Sequence, residues 1–310
     1  MPSTQETTAQ ETTTGQLGIA TGGPVLKEGV SLRVRRIGKV LLALSGVALA
    51  LIWAFPVYWM VSSSLLSNTT LGKSTPTWFP SSGTLNNYRT VLADGRFFDA
   101  LSVSLRVTLL TVFVVLIFAF LAALAISRFK FKGRKGFVLA LLFIQMLPAE
   151  GLFIAQYKMM ANAQLLNSVI GISVLYIAAV IPFTVWMLRG FVAGIPAELE
   201  EAAQIDGCSP TGAFFRVTFP LLAPGLVASG VYAFLQAWNE FTVALVIMQE
   251  PTSRTLPLWL RAFVEGSRAR EIDWGAVMAS STLVAVPVII FFLFVQGRMT
   301  SGLVAGAVKG

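Results

Sequence analysis

Five polar side chains interrupt stretches that are otherwise apolar. Gln145 and Glu150 fall in one such stretch, and Gln236, Asn239 and Glu240 fall in another, beside Trp238. Amides and carboxylates exchange hydrogen bonds with hydroxyl groups, and an indole offers a flat apolar face. Together they could line a path for a polar solute. Covalent catalysis is a poor match. The chain has no histidine, which removes Ser-His and Cys-His pairs and most zinc chemistry. Its single cysteine, Cys208, has no partner for an internal disulfide and reads as a buried small residue. Gly72-Lys73-Ser74 mimics the end of a phosphate cradle, but Ser67 stands where the first glycine belongs and no strand precedes it. The sequence therefore predicts neither an enzyme nor a metal site, and no cofactor bound by this chain.

The elements that carry these side chains follow from composition. Of 310 residues, 55% are hydrophobic and 12% charged, with a mean hydropathy of +0.74. Soluble domains hold roughly a quarter charged residues, so the chain reads as a membrane protein. Six runs are long enough to cross a bilayer: 40–61, 107–126, 137–157, 168–188, 222–246 and 276–296. They do not alternate in polarity, so they are helices rather than barrel strands. A charge at the centre of a membrane helix costs about 2.5–3.5 kcal/mol on insertion scales. Glu150 and Glu240 must then face a water-filled path or a partner group. The alternative is a hydrogen bond that ties two helices together. The residues alone leave both open. Pro182 and Pro287, in the fourth and sixth runs, can kink a helix beside a path or for packing alone.

Basic residues set the orientation. The short loop 128-RFKFKGRK-135 holds Arg128, Lys130, Lys132, Arg134 and Lys135, which places it and both termini on the cytoplasmic side of a cell membrane. The net charge of +8 is explained by such anchoring, with no nucleic-acid partner. Residues 1–36 form a Thr-, Gln- and Gly-rich tail expected to be disordered, without the pattern of a signal peptide. Residues 37–310 form the transmembrane domain.

Between the fourth and fifth runs lies a polar segment, about 189–221, that includes 198-ELEEAAQIDGCSP-210. Pro196 suits a first helical turn, and Glu198, Glu200 and Glu201 sit where a helix dipole favours negative charge. Gly207 is placed to end that helix in a left-handed conformation. Ser209 and Pro210 open a second helix through 211-TGAFFRVTF-219, which Pro220 should end, before Pro224 and Gly225 break the chain again. Such a pair of helices is either a docking knob or a connector packed on its own bundle.

The string 201-EAAQIDG-207, followed by 219-FPLLAPG-225, resembles the EAA motif of ATP-binding-cassette importer permeases, with Phe219-Pro220 in place of the commoner Leu-Pro. The ending 302-GLVAGAVKG-310 and the Trp238-Asn239-Glu240 triplet resemble the smaller permease of the maltose type. The resemblance covers roughly 38–310. It implies an all-α, type I importer permease with six membrane helices. It also implies a second homologous permease, two ATPase subunits that bind ATP and Mg, an extracytoplasmic solute-binding protein, and a sugar substrate such as maltose, maltodextrin or trehalose.

On that resemblance, Glu201, Ala202, Ala203, Asp206, Gly207, Phe214, Phe215 and Pro220 form the ATPase-coupling element. The loop 247–275, through Leu258 and Phe263, meets the binding protein; an amphipathic helix lying on the membrane is the competing reading. The tail 297–310, with Gly302, Gly306, Lys309 and Gly310 in an extended or tightly turned backbone, touches the ATPases. An ion-coupled secondary transporter is the alternative function, although no internal repeat supports it.

Overall fold

The computed structural model describes residues 28–81, 83–268 and 272–307. Thirteen α-helices follow one another among the described residues: α1 Glu28–Ser64, α2 Asn68–Leu71, α3 Asn86–Ala93, α4 Gly95–Arg128, α5 Arg134–Gln145, α6 Phe153–Asn162, α7 Val169–Ala193, α8 Glu198–Ile205, α9 Pro210–Ala213, α10 Phe219–Asn239, α11 Thr242–Ile247, α12 Leu256–Arg268 and α13 Trp274–Ala307. No strand occurs among the described residues. Five helical stretches are long and apolar enough to span a membrane. The bent pair 134–145 and 150–162 makes a sixth if counted as one.

The chain divides into two units, Met1–Pro56 and Val57–Gly310. In the first, the described residues are helical from Glu28, so only residues 1–27 of the expected disordered tail lie outside the described residues. Its apolar side chains, Leu42 and Trp53 among them, are exposed in the isolated chain, as lipid-facing groups are.

The second unit is built on α4, α7 and α10, which pack closely on one another. Val115, Ala119 and Ala123 of α4 meet Val185 and Leu188 of α7 and Leu222 and Ala233 of α10. Small residues let membrane helices approach closely, where dispersion replaces the hydrophobic drive. Gly225 is an instance: a Cβ there would stand 2.5 Å from the Phe191 ring. A second cluster joins Phe97, Phe234, Trp238, Leu256, Trp259 and Ala276, with Phe234 stacked on Phe291 at 3.9 Å.

Four expectations need correction. The third run is not one straight helix. It ends at Gln145, passes through Pro148 and a 3-10 turn at Ala149–Leu152, and resumes in α6 at 88°. Pro148 lacks an N–H and disfavours helical geometry in the residue before it. The fifth run starts earlier than expected and stops at Asn239, with Glu240 extended and α11 following.

Pro220 and Pro224 do not stop α10. Pro220 occupies its first turn, where no N–H is needed, and α9 runs into α10 through a wider π-helical turn, Phe214–Thr218. The C-terminal stretch is helical to Ala307 rather than extended, since Leu303, Val304 and Ala305 continue α13 and two glycines cost it only about 1 kcal/mol each. Lys309 and Gly310 lie outside the described residues.

Candidate functional site

The polar segment folds as two short helices joined at Gly207. In α8, Glu198, Glu200 and Glu201 occupy the first turn. Its far end closes with the Cys208 amide on the Ala203 carbonyl and the Gly207 amide on the Gln204 carbonyl, both at 3.0 Å. This closure needs a left-handed residue, and Gly207 supplies it at φ 91°. Ser209 then caps α9, its Oγ accepting from the Gly212 amide at 3.1 Å.

The two faces of α8 differ. Glu201, Ala202, Gln204, Ile205 and Asp206 point outward, and Ile205 is 87% exposed. Glu200 and Ala203 turn inward and are half-buried, so Ala203 packs beneath the surface that Ala202 presents. Phe214, grouped with the coupling residues above, is likewise half-buried. Its ring lies 6.2 Å from Phe120 of α4 and anchors the segment to the bundle. Phe215 stays 63% exposed, and Pro220 is exposed. Cys208 is half-buried, its Sγ facing Arg216 Nη1 at 3.7 Å.

Sequence reasoning missed what holds this segment. Glu200 Oε1 accepts from Arg128 Nη2 at 3.0 Å and from Thr218 Oγ1 at 2.6 Å. Arg128 is 72 residues away, and no local pattern signals the pairing.

The membrane-depth residues separate into two groups. Gln236 and Asn239 are exposed on one face of α10, next to Tyr232. Asn239 also donates to the Leu235 carbonyl at 2.9 Å. Gln145 and Glu150 are exposed at the bend after α5. Trp238 is not on that face. It is 2% exposed, stacked 5.7 Å from Phe234, and its Nε1 has no acceptor among the described residues. One residue of helical rotation turns it into the core while Asn239 faces out.

Glu240 is half-buried, and its carboxylate is engaged by protein groups. Its carboxylate caps α11, accepting from Val243 N at 2.7 Å and Ala244 N at 3.1 Å, and it takes the Tyr176 hydroxyl at 2.6 Å. Of the two readings for Glu240, this is the one that ties helices together.

At the same end, Asn167 adopts φ 54° and its Oδ1 accepts from Gln249 N at 2.7 Å, Glu250 N at 3.0 Å and Ser253 Oγ at 3.3 Å. This pins the start of the long loop. Helix α12 is amphipathic as the sequence implies, but its apolar face turns into the bundle. Leu258 is buried, and Phe263 packs 5.2 Å from Trp259. Phe263 is half-buried. Leu258 lines a 240 Å³ cavity together with Gln249, Arg254, Arg261 and Glu265.

A helical protein with five apolar spans among its described residues, six if the bent pair is one, and a capped two-helix segment of this kind defines a class. The chain belongs to the family of binding-protein-dependent transport system inner membrane components, matched over residues 90–303, and is a multi-pass membrane protein. It is 41% identical over 275 residues to the diacetylchitobiose uptake system permease protein DasC of Streptomyces coelicolor, covering 88% of this chain and 98% of that one. It is 34% identical to the trehalose transport system permease protein SugB of Mycobacterium tuberculosis, covering 82% and 92%. It is 32% identical to the trehalose/maltose transport system permease protein MalG of Thermococcus litoralis, covering 90% and 100%. Its fold superposes with a TM-score of 0.71 and 25% identity on a chain from a bacterial ABC transporter involved in the import of the polysaccharide alginate, covering 86% and 97%.

Proposed function

We propose that this chain is one of two permease subunits of an ATP-driven importer of a di- or oligosaccharide. The other parts are a homologous permease, two ATPase subunits that carry ATP and Mg, and an extracytoplasmic binding protein. Both termini and α8 lie on the cytoplasmic side. Closure of the ATPase pair pulls on α8, and the bundle rocks between inward- and outward-open states around a midplane path.

The observation that carries this reading is the outward face of α8. A bare isoleucine, Ile205, stands beside Glu201 and Ala202 on a helix fixed by Gly207. Leu199 of the same helix and Phe215 of the π-helical turn are exposed as well, and several apolar side chains exposed on one polar segment suit contact with another subunit. Gln236 and Asn239, with Gln145 and Glu150, supply polar groups for the path. The rim of Gln249, Arg254, Arg261 and Glu265 suits the binding protein. The helical stretch of the tail, with Gly302 and Gly306, reaches toward the ATPases. Relatives named for diacetylchitobiose, trehalose and maltose support a sugar, and family membership supports ATP rather than an ion gradient as the driving force.

The test is uptake of labelled diacetylchitobiose, trehalose and maltose by membrane vesicles loaded with ATP, with the cognate binding protein outside. Transport of one of these that requires internal ATP and a co-purifying ATPase supports the proposal. Uptake driven by an ion gradient without ATP refutes it.

A further inference from the structure

We propose that Glu200, one residue ahead of the motif glutamate Glu201, is the positioning residue that makes α8, the end of α4 and the start of α10 move as one body. The inference rests on the coupling reading above and concerns how motion received by α8 enters the bundle.

The covalent chain joins α8 to α7 through residues 194–197 and to α9 through residues 206–209. The first linker contains Gly194 and Pro196, and the second turns at Gly207. A pull on α8 would be absorbed in these two short joints unless a side-chain attachment exists. Glu200 provides it. Its Oε1 is the meeting point of three elements: α8 itself, Arg128 at the last turn of α4, and Thr218 at the junction with α10. Arg128 sits at a helix C-terminus and Glu200 near a helix N-terminus. Each charge therefore opposes its own dipole, and the two ends attract.

The pair is also shielded. Arg128 and Glu200 keep 20% and 22% of their side-chain surface, against 43% and 50% in the Arg261–Glu265 pair of α12. Solvent screens it correspondingly less. Thr218 is fully buried, and its hydroxyl is spent on Glu200. Arg128 Nε is buried with no acceptor among the described residues, so the hold of Arg128 on α8 rests on its Nη2 bond to Glu200. Glu201 points the other way, so the two adjacent carboxylates divide the labour. One faces the partner subunit, and the other holds the bundle.

The test uses the whole transporter, both permeases with their ATPase subunits, in lipid nanodiscs. In a Cys208→Ala background, spin labels at Glu198→Cys and Ala125→Cys report the separation of α8 from α4, without nucleotide and after trapping with ATP and vanadate. The wild-type pair should give one narrow distance in both states. Glu200→Ala should broaden it while the ATPase subunits still co-purify. Binding-protein-stimulated hydrolysis should fall about three- to thirty-fold, the range over which positions between coupled sites act.

Thr218→Val, which keeps the ion pair, should cost about twofold on the same scale, and Arg128→Ala added to Glu200→Ala should cost little more than Glu200→Ala alone. The proposal is overturned by a wild-type distance that changes on trapping, or by Glu200→Ala and Thr218→Val proteins with wild-type distance and stimulation. Loss of the ATPase from Glu200→Ala with the distance still narrow also overturns it, since Glu200 would then be a direct contact. A wild-type complex that retains no ATPase refutes the parent reading, and the strut with it.

Discussion

Glu200 and Glu240 are both carboxylates at places where a long helix gives way to a short one, yet they are bound differently. Glu240 spends its oxygens on two backbone amides of the very next turn and on one hydroxyl, Tyr176, of the neighbouring α7. Glu200 takes no backbone donor. Its two bonds come from long or rotatable side chains on elements far apart in sequence. A carboxylate that caps the adjacent amides fixes a bend of the chain at that point. A carboxylate held by side chains from other helices joins separate elements so that they move together. The end with Glu240 and Asn167 is therefore built as a rigid frame, and the end with Glu200 as a linkage.

If that contrast holds, substitutions at the linkage should leave the amount of protein unchanged and disable transport, whereas those at the frame should do the reverse. The largest effect is expected from Gly207→Val. Nothing lies within 4 Å of a Cβ there, so the cost is conformational, about 1 kcal/mol or more at positive φ and greatest for a branched residue. The helix closure at Cys208 should open, with normal levels in the membrane, weak ATPase retention and no sugar uptake. Gly207→Asn, which tolerates this conformation, should transport.

Next comes Glu240→Ala. It strands a buried hydroxyl and two amides, a loss of about 2–4 kcal/mol. Thermal unfolding in detergent should begin several degrees lower, while surviving molecules couple ATP to transport normally. Wild-type melting would show that the bend is not held by Glu240. Glu201→Ala should be milder for folding, because Glu201 makes no ion pair or hydrogen bond among the described residues and only the dipole term, about 0.3–1 kcal/mol, is lost. ATPase retention should weaken about tenfold, a shift of about 1.4 kcal/mol, measured as the concentration needed for half-maximal assembly. Retention equal to wild type would remove Glu201 from the contact. The smallest change is expected for Trp238→Phe, which removes an N–H that has no acceptor among the described residues and keeps the stacking. Its melting temperature should stay the same or rise slightly, and uptake should be unaffected.

Much of the fold was legible because membrane spans announce themselves by length and lack of charge, and caps by single residues. Gly207, Ser209 and Pro210 all serve the local roles that their types imply. Pro148 carried a readable warning of the bend in the third run, but apolarity on both sides of it masks the break. Pro220 and Pro224 misled in the other direction, since the π-helical turn just before Pro220 has no compositional mark and Pro224 is carried inside α10. The burial of Trp238 and Leu258 and the half-burial of Phe263 were illegible for a different reason. In a chain where lipid, path and core all accept apolar groups, side-chain type does not say which of the three a face meets. The Arg128–Glu200 pair was hidden by distance alone, since both residues already had sufficient local explanations.

The π-helical turn at Phe214–Thr218 gives this part of the chain one spare residue. Its hydrogen bond spans five residues yet closes about the same angle as the four-residue bond of an α-helix. Deleting one residue there would let the turn relax to ordinary winding while the helices on both sides keep nearly the same facing. The same deletion inside α8, where the winding is regular, would rotate everything beyond it by about 100°. A length change of one residue is thus absorbed at one place in this segment and turns the docking face aside a few residues away.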